Sequence, residues 1–324
     1  MASDGKAVAS PYGGGMGGVV VGFAIIAFVI LVGYLAGRFG VGGPHAPFVL
    51  NRIAFFITNP ALLFVTLAHA DLHVVFSTQV LVAGTAAIVT AGIFVGVSRL
   101  FFRRGPAETT IGALGSGYVN ANNIGLPVAV YVLGSASWVA PVLLLQLIVF
   151  APIALTVLDV TSRGSVSVRS ILTQPFRNPM ILASLLGILV DVSGVAVPEA
   201  VFQPFVLLGG AAVPLVLMAF GMSLHGSRPL RAAHGRAEIL TASLLKSVAM
   251  PLIAYLVATL AFRMHGQPLF AVVALAALPA AQNVYNFAAR YDRGVAVARD
   301  IVLLTSILAV PALLVIAWLL APRV

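Results

Sequence analysis

Two groups of polar residues interrupt long apolar stretches of the sequence. Each group combines amide side chains, which donate and accept hydrogen bonds without carrying charge, with a proline, which removes a backbone donor and breaks a helix. A helix that restarts after such a break has free N–H groups and the positive end of its dipole at the restart, and both favour an anion. We therefore expect one anion-binding site formed by Asn120, Asn122, Asn123, Gly125, Pro127, Pro279, Gln282 and Asn283.

An alternative role for such amides is simply to hold membrane helices together through interhelical hydrogen bonds. For one asparagine alone, that role would be sufficient. The whole cluster, however, has a counterpart in the second half of the chain, and this repetition favours a binding cavity.

The composition indicates which solvent surrounds the chain. Charged residues make up 8% and apolar residues 60% of the 324 residues, whereas about a quarter of an ordinary soluble protein is charged. So few charges cannot cover a soluble surface, which excludes a cytosolic enzyme, a nucleic-acid-binding module and a disordered protein. The formal charge of +9 comes largely from arginines in loops, where membrane topology explains them without a nucleic-acid partner. Because the chain has no cysteine, disulfides, thiol nucleophiles and cysteine-ligated metals are also excluded.

Ten apolar runs are long enough to cross a membrane, because a bilayer core about 30 Å thick requires about 20 residues of helix. We therefore predict an all-α polytopic membrane protein with ten transmembrane helices. Residues 1–17 contain glycine, serine and proline and predict a disordered tail. The predicted spans are 18–37, 48–68, 77–98, 109–133, 138–158, 178–197, 203–224, 238–262, 269–289 and 301–320.

Lysine and arginine are distributed unevenly between the loops. The loops after odd-numbered spans hold thirteen of them, whereas the other loops and both tails hold three. Positively charged loops remain in the cytoplasm. The bias therefore predicts a protein of the cytoplasmic (inner) membrane with both termini outside the cytoplasm.

The sequence contains an internal repeat. A shift of 160 residues aligns the fourth with the ninth predicted span, and matches Asn122 with Gln282, Asn123 with Asn283, Tyr131 with Tyr291 and Gly134 with Gly294. Five helices per repeat is an odd number, so the second copy would enter the membrane from the opposite side, as in secondary transporters with a midplane site. The two inverted five-helix repeats are expected at 18–158 and 178–324, joined by a cytoplasmic linker at 159–177.

The two aligned spans are expected to be broken helices. Asparagine and proline predict a break in the fourth span near Asn120–Gly125, with Pro127 in the first turn of the restarted helix. Pro279 predicts the break in the ninth span. Unwound backbone at membrane depth is tolerated where it is buried in protein or lines a cavity, so both breaks indicate the position of the binding site.

These motifs resemble those of the auxin efflux carrier family, which includes bacterial malonate-type carriers and the plant PIN auxin exporters. The resemblance extends over nearly all ten spans. It rests on Asn120–Pro127 with Tyr131–Gly134, on Leu278–Asn283 with Ala288–Tyr291, on Arg177–Pro179 and on Pro214.

The resemblance implies a secondary transporter of small organic anions. It further implies that broken helices 4 and 9 cross within a mobile transport domain of helices 3–5 and 8–10, which slides against a scaffold of helices 1, 2, 6 and 7. In plant members the asparagine of a Leu-Pro-Asn motif contacts the substrate carboxylate. Tyr118, Val119 and Asn120 occupy the matching positions, so the same contact is expected for Asn120, although Val119 replaces the proline.

Two more polar residues within spans are candidates for coupling or support. Lys246, about eight residues into the eighth span, either extends to the cytoplasmic face or supplies a fixed positive charge for a substrate anion or a coupled proton. Gln146 either supports the crossing helices or forms an ordinary interhelical hydrogen bond. Arg52 lies near one end of the second span and is expected to extend to the surface.

Two motifs with a chemical meaning elsewhere have simpler explanations in this chain. His69, Asp71 and His73 have no fourth ligand in the sequence nearby, so we expect a solvated turn and no metal site. Gly13–Gly18 matches a nucleotide-binding pattern but follows no strand. No cofactor is expected.

The pairs Gly33/Gly37 and Gly92/Gly96 have the spacing of closely packed membrane helices. Such pairs occur within a chain or at the interface of a homodimer, and packing within the chain is the commoner case. The expected partners are thus the lipid bilayer, a small carboxylate and, as an open alternative, a second copy of the chain.

The leading functional hypothesis is a carrier of small carboxylates that works by alternating access. A cation/proton antiporter or a sodium-coupled symporter of similar fold is the alternative, but binding the ion requires buried carboxylates, and the fourth and ninth spans contain no Asp or Glu. A non-transporting sensor would require a soluble domain or a long tail. An enzyme would require a nucleophile–base pair or a metal site within the spans, so no enzymatic activity is expected.

Overall fold

The computed structural model describes residues 16–69, 78–163, 173, 175–225 and 235–322. Within these ranges the chain forms helices and turns and no β-strand, apart from one isolated pair of bridged residues. Seven helices are long and apolar enough to cross a membrane. The protein is therefore an all-helical, multi-pass membrane protein, which confirms this part of the expected fold class, whereas ten spans and an inverted repeat stay predictions.

The helices of the described residues are numbered α1 to α12 along the chain. The seven long spans are α1, α2, α3, α6, α8, α9 and α12. In chain order the helices are α1 (Met16–Arg38), α2 (Ala46–Leu67), α3 (Thr78–Phe102), α4 (Pro106–Gly117), α5 (Leu126–Tyr131), α6 (Ala136–Thr161), α7 (Pro179–Ser193), α8 (Glu199–Leu224), α9 (Arg236–Ala261), α10 (Gly266–Ala276), α11 (Gln282–Tyr291) and α12 (Val295–Leu320).

Two helices are broken in the middle, one between α4 and α5 and the other between α10 and α11, and these breaks are called the first and second interruptions. After α4, Tyr118 is extended and a wide (π-helical) turn at Ala121–Gly125 leads into α5. After α10, five residues precede α11. Both intervals hold residues that are poorly suited to a helix, because asparagine competes for backbone hydrogen bonds and Pro279 lacks an N–H group. Pro127 lies in the first turn of α5, where proline is tolerated.

The helices pack in two groups. In the first group, α1 and α2 pack on α8, and α7 packs on α2. The close contact of α1 with α8 requires glycine, because a Cβ on Gly33 would lie 2.4 Å from the carbonyl oxygen of Met218. In the second group, α3 packs on α4, α9 and α10, α6 packs on α4, and α12 packs on α9 and α11. Since α5 packs on α1, the first interruption lies where the two groups meet.

The two glycine pairs behave differently. Gly33 and Gly37 face Met218 and Met222 of α8, so packing within the chain explains this pair. On α3, a Cβ added to Gly92 or Gly96 would have no atom of another described helix within 4 Å. Packing within the chain therefore does not explain the second pair, contrary to the expectation.

Two predicted boundaries differ from the structure. Met16 and Gly17 belong to α1, whereas residues 1–15 of the expected tail lie outside the described residues. After α6 the helical conformation continues to Arg163, because no residue of 159–163 breaks a helix. The first five residues of the expected linker are thus helical, and residues 164–172 and 174 lie outside the described part of the chain.

Candidate functional site

The two interruptions lie against each other and pair like strands. Val119 and Ala280 form an antiparallel bridge. The N–H group of Asn120 donates to the carbonyl oxygen of Pro279 at 2.8 Å, and that of Ala281 donates to the carbonyl oxygen of Tyr118 at 3.0 Å. Backbone groups that a helix would have satisfied are thus satisfied across the crossing, as buried backbone requires.

Thr305 and Gly125 pack against the second interruption where it pairs with the first. The N–H group of Ala280 points away from the bridge and donates to Oγ1 of Thr305 on α12 at 3.0 Å. That hydroxyl in turn donates to the carbonyl oxygen of Ile301 at 2.7 Å. On the other side, Gly125 admits Leu278 from the second interruption, because a Cβ there would lie 2.9 Å from Leu278 Cδ1. The sequence did not indicate the role of Thr305.

A cavity of about 40 Å³ lies beside the crossing, and the space between its lining atoms amounts to about 400 Å³ when its open mouth is counted. Five of the eight residues expected to bind the anion line it, and so does Gln146. Gly125, Pro127 and Pro279 do not line the cavity. They lie in or next to the two interruptions of the backbone. Its lining residues are Phe55, Tyr118, Val119, Asn120, Ala121, Asn122, Asn123, Leu143, Gln146, Leu147, Met180, Ala281, Gln282 and Asn283.

The cavity wall contains a chain of hydrogen-bonded amides, here called the amide relay (Asn59, Asn122 and Asn123). Nδ2 of Asn59, on α2, donates to Oδ1 of Asn122 at 2.7 Å. Nδ2 of Asn122 then donates to Oδ1 of Asn123 at 2.7 Å. Asn59 was not predicted as a site residue, because its position in α2 gives no local sign of a contact with the fourth span.

Asn120 has an orientation that its backbone contacts determine. Its Oδ1 accepts the backbone N–H of Asn123 at 3.0 Å, which caps the wide turn before α5. Because a backbone N–H can only donate, Oδ1 of Asn120 must face Asn123. The Nδ2 group, a pure donor, is then the part of this cavity-lining amide that remains for a ligand, and a carboxylate oxygen is a suitable acceptor.

The second interruption contributes a helix N-terminus to the same cavity. Gln282 and Asn283 are the first two residues of α11 and both line the cavity. The first N–H groups of a helix have no partner within the helix, and the dipole adds a partial positive charge there. The side chain of Asn283 also lies close to that of Tyr118, so the two interruptions approach each other through side chains as well as through backbone.

Lys246 lies at a helix C-terminus and not at the cytoplasmic surface. The residue, on α9, is fully buried, and its Nζ donates to the carbonyl oxygen of Ala276, the last residue of α10, at 2.7 Å. A donor at this position satisfies a carbonyl oxygen that has no partner within its own helix. Of the two expected roles, the structure therefore excludes extension to the surface. Arg52, by contrast, is exposed and lies 5.5 Å from the ring centre of Phe56.

A second, smaller cavity of about 20 Å³ shares Val119 and Gln146 with the first. Its wall includes Gly117 and Ala276, the last residues of α4 and α10. The first cavity therefore meets the positive start of α11, and the second meets the negative ends of α4 and α10. Gln146 separates the two. This arrangement suits an anion in the first cavity.

The other expected motifs contribute no site within the described residues. His69 packs edge-on against Phe202, with ring centres 4.9 Å apart. Asp71 and His73 lie outside the described residues, as does Gly13–Gly15 of the glycine motif. In the part of the chain that the structure describes, no three acidic, histidine or cysteine side chains are grouped so as to hold a metal ion.

Comparison with known proteins gives a consistent picture. The profile of a family described as membrane transport protein matches residues 19–165 and 161–317. The chain is 28% identical over 280 residues to the uncharacterized transporter YfdV of Escherichia coli. The aligned region covers 82% of this chain and 86% of that protein. It is 26% identical over 295 residues to an uncharacterized transporter of Methanothermobacter thermautotrophicus, covering 89% and 94%. The protein therefore belongs to this family of membrane transport proteins, the auxin efflux carrier family that its motifs resemble.

Proposed function

We propose that this membrane transporter is a secondary carrier that moves small carboxylates across the cytoplasmic membrane by alternating access. One observation carries the proposal: Asn120 lines the cavity with an amide whose oxygen is already engaged by the N–H of Asn123. The donor Nδ2 is left for an anionic ligand. The start of α11 adds N–H groups and a partial positive charge.

In this proposal the chain consists of two repeats of five helices each, which have opposite orientations in the membrane. Such a pair of repeats lets one site between them open to either face of the membrane. The sequence-matched pairs Asn122/Gln282 and Asn123/Asn283 line the same cavity, which supports a pseudo-symmetric site between the two halves. In this proposal α4 with α5, and α10 with α11, are the crossed broken helices 4 and 9 of a ten-helix fold, and both termini are extracytoplasmic.

The two packing groups support a division of labour between the helices. We assign α1, α2, α7 and α8 to the scaffold and the remaining helices to the mobile transport domain. The cavity lies between them, because Phe55 of α2 and Met180 of α7 line it together with both interruptions. Sliding of the transport domain would then carry a bound anion from one side to the other.

The alternative, an antiporter or symporter that binds a cation in this cavity, lacks support in the lining residues. None of the fourteen residues that line the cavity is acidic, so the cavity lacks the carboxylate that proton relays and many cation sites at membrane depth use. Gln146 and Lys246 are proposed to support the crossing.

Uptake into proteoliposomes tests the proposal. The purified full-length protein is assayed with labelled malonate, succinate, pyruvate and phenylacetate, each with and without an imposed pH or sodium gradient. We expect uptake of at least one carboxylate that saturates and is inhibited by the others. Uptake of sodium or protons without any carboxylate would contradict the proposal and favour the antiporter.

A further inference from the structure

The amide relay begins outside both interruptions, at Asn59 of α2. We propose that Asn59 is a positioning residue for the anion site: its amide donor sets the orientation of Asn122 and Asn123 so that a donor, and not an oxygen, faces the cavity. This inference rests on the proposed function, because it concerns the orientation of groups that would bind the carboxylate.

The direction of the relay follows from the asymmetry of an amide. Nδ2 of Asn59 donates to Oδ1 of Asn122, and this commits Nδ2 of Asn122 to the opposite side, where it donates to Oδ1 of Asn123. Because Oδ1 of Asn123 is directed at Asn122, Nδ2 is the group on the other side of this amide, and Asn123 lines the cavity. The hydrogen bond donated by Nδ2 of Asn59 thus orients the other two amides so that Nδ2 of Asn123 faces the site.

Asn59 is a poor choice for stability alone. It is fully buried, and its Oδ1 has no hydrogen-bond partner among the described residues. A buried acceptor without a partner lowers the stability of the folded state. An apolar residue of the same size would avoid this penalty, so the amide is explained by the donor that it gives to Asn122. The preceding wide turn at Ala54–Thr58 aims this part of α2 at the site, since Phe55 lines the cavity.

Two near-isosteric variants separate positioning from packing. Asn59→Leu removes the donor, and Asn59→Asp can only accept, so it would draw Nδ2 of Asn122 towards itself and reverse the relay. Thr58→Val is the matched control, because Thr58 is the adjacent buried residue, its hydroxyl has no partner in the described chain, and it lies outside the relay. Binding of labelled malonate, succinate, pyruvate and phenylacetate to the purified protein is measured together with thermal unfolding.

We expect Asn59→Leu to weaken carboxylate binding by about 10-fold while its unfolding temperature is equal to or higher than that of the wild type. Asn59→Asp should bind more weakly still, and Thr58→Val should bind as the wild type does. Loss of stability with unchanged affinity in Asn59→Leu, or failure of this variant to fold, would overturn the inference, because Asn59 would then be a structural residue.

The relay itself is tested by repeating both substitutions in an Asn122→Ala background. Cutting the relay removes any orientational effect, so Asn59→Leu should cause no further loss there. Asn59→Asp should retain only the direct repulsion between its charge and the anion. The same fold loss in both backgrounds would overturn the inference while leaving the proposed function intact. Binding of none of the four carboxylates by the wild type would instead refute the proposed function, and the relay with it.

Discussion

Lys246 and Ala276 join the middle of one membrane span to the broken end of another. The Lys246 ammonium, fully buried on α9, donates to the last carbonyl oxygen of α10 at 2.7 Å. That oxygen is one of the carbonyls that a helix leaves unsatisfied at its C-terminus. A membrane helix that stops inside the protein leaves such groups without water, and Lys246 supplies a donor to one of them.

Replacing Lys246 with methionine should therefore destabilise the interruption before α11. Lys246→Met keeps most of the volume but leaves the carbonyl of Ala276 without its donor, which costs about 1–3 kcal/mol. We expect a lower unfolding temperature and at least several-fold slower carboxylate uptake at matched expression. Arg52→Met is the control, because Arg52 is also a cation within a span but is exposed. Equal behaviour of the two variants would show that Lys246 has no special role.

Asn120→Asp tests the anion site with little disturbance of the fold. The carboxylate of aspartate can still accept the N–H of Asn123 and cap the turn, but it has no donor and repels an anion. Asn120→Ala loses both the cap and the donor. Loss of a hydrogen bond to a charged group corresponds to about 10- to 150-fold in affinity.

We expect Asn120→Asp to transport less than Asn120→Ala although it is the more stable of the two. Uptake kinetics and thermal unfolding of both variants check this order. Transport by both variants at the wild-type rate would reduce Asn120 to a packing residue.

Thr305 should be essential for its hydroxyl and not for its shape. Thr305→Val preserves the branched side chain but leaves the buried N–H of Ala280 without an acceptor, at a cost of about 1–3 kcal/mol. Thr305→Ser retains the hydroxyl and should keep most of the stability and transport. Thermal unfolding of the two variants side by side gives the comparison, and equal losses would mean that the methyl group matters and not the hydrogen bond.

Local signals in the sequence predicted the two interruptions but not the residues that stabilise them. Asparagine, glycine and proline disfavour a helix wherever they occur, so Asn120–Gly125 and Pro279 were recognisable without a structure. The contact between Asn59 and Asn122 joins residues 63 positions apart, and Thr305 lies on a helix that reads as a uniform apolar span. Such tertiary partners leave no periodic pattern in a single sequence.

Lys246 illustrates a different limit. Its side chain is long enough either to extend to the surface or to remain within the protein, and the sequence supplies no charged partner that would favour one alternative. The actual partner is a backbone carbonyl that becomes available only because α10 ends at Ala276. The position of a helix end in three dimensions decided between two roles that composition alone left open.

Membrane orientation can be tested on a background free of thiols, because the chain has no cysteine. His45 follows α1 and Ala196 lies between α7 and α8, and both are exposed. The arginine bias predicts the first loop in the cytoplasm and the second outside it. In intact cells, a membrane-impermeant maleimide should label Ala196→Cys and not His45→Cys. Tags at both termini provide a second test and should also be accessible from outside. Labelling of His45→Cys and not of Ala196→Cys would overturn the predicted orientation.

The two prolines test whether both interruptions act on one site. Pro279→Ala supplies an N–H group that can reach the carbonyl of Leu275 and extend α10, at the expense of the bridge between Val119 and Ala280. Pro127→Ala allows the start of α5 to extend towards the wide turn that precedes it. We expect each variant to remain folded and to lower transport several-fold, with the larger effect for Pro279, because it lies within the interruption and accepts the N–H of Asn120.

If both substitutions close the same cavity, the double variant should lose less than the product of the two single losses, since residues acting on one site are not additive. The measurement is carboxylate uptake by the two single variants and the double variant in one proteoliposome preparation, normalised to folded protein. Because the interruptions are hydrogen-bonded directly to each other through Asn120 and Pro279, re-forming one helix already removes the partner of the other. Strictly multiplicative losses would mean that each proline acts on its own helix and would contradict a shared site.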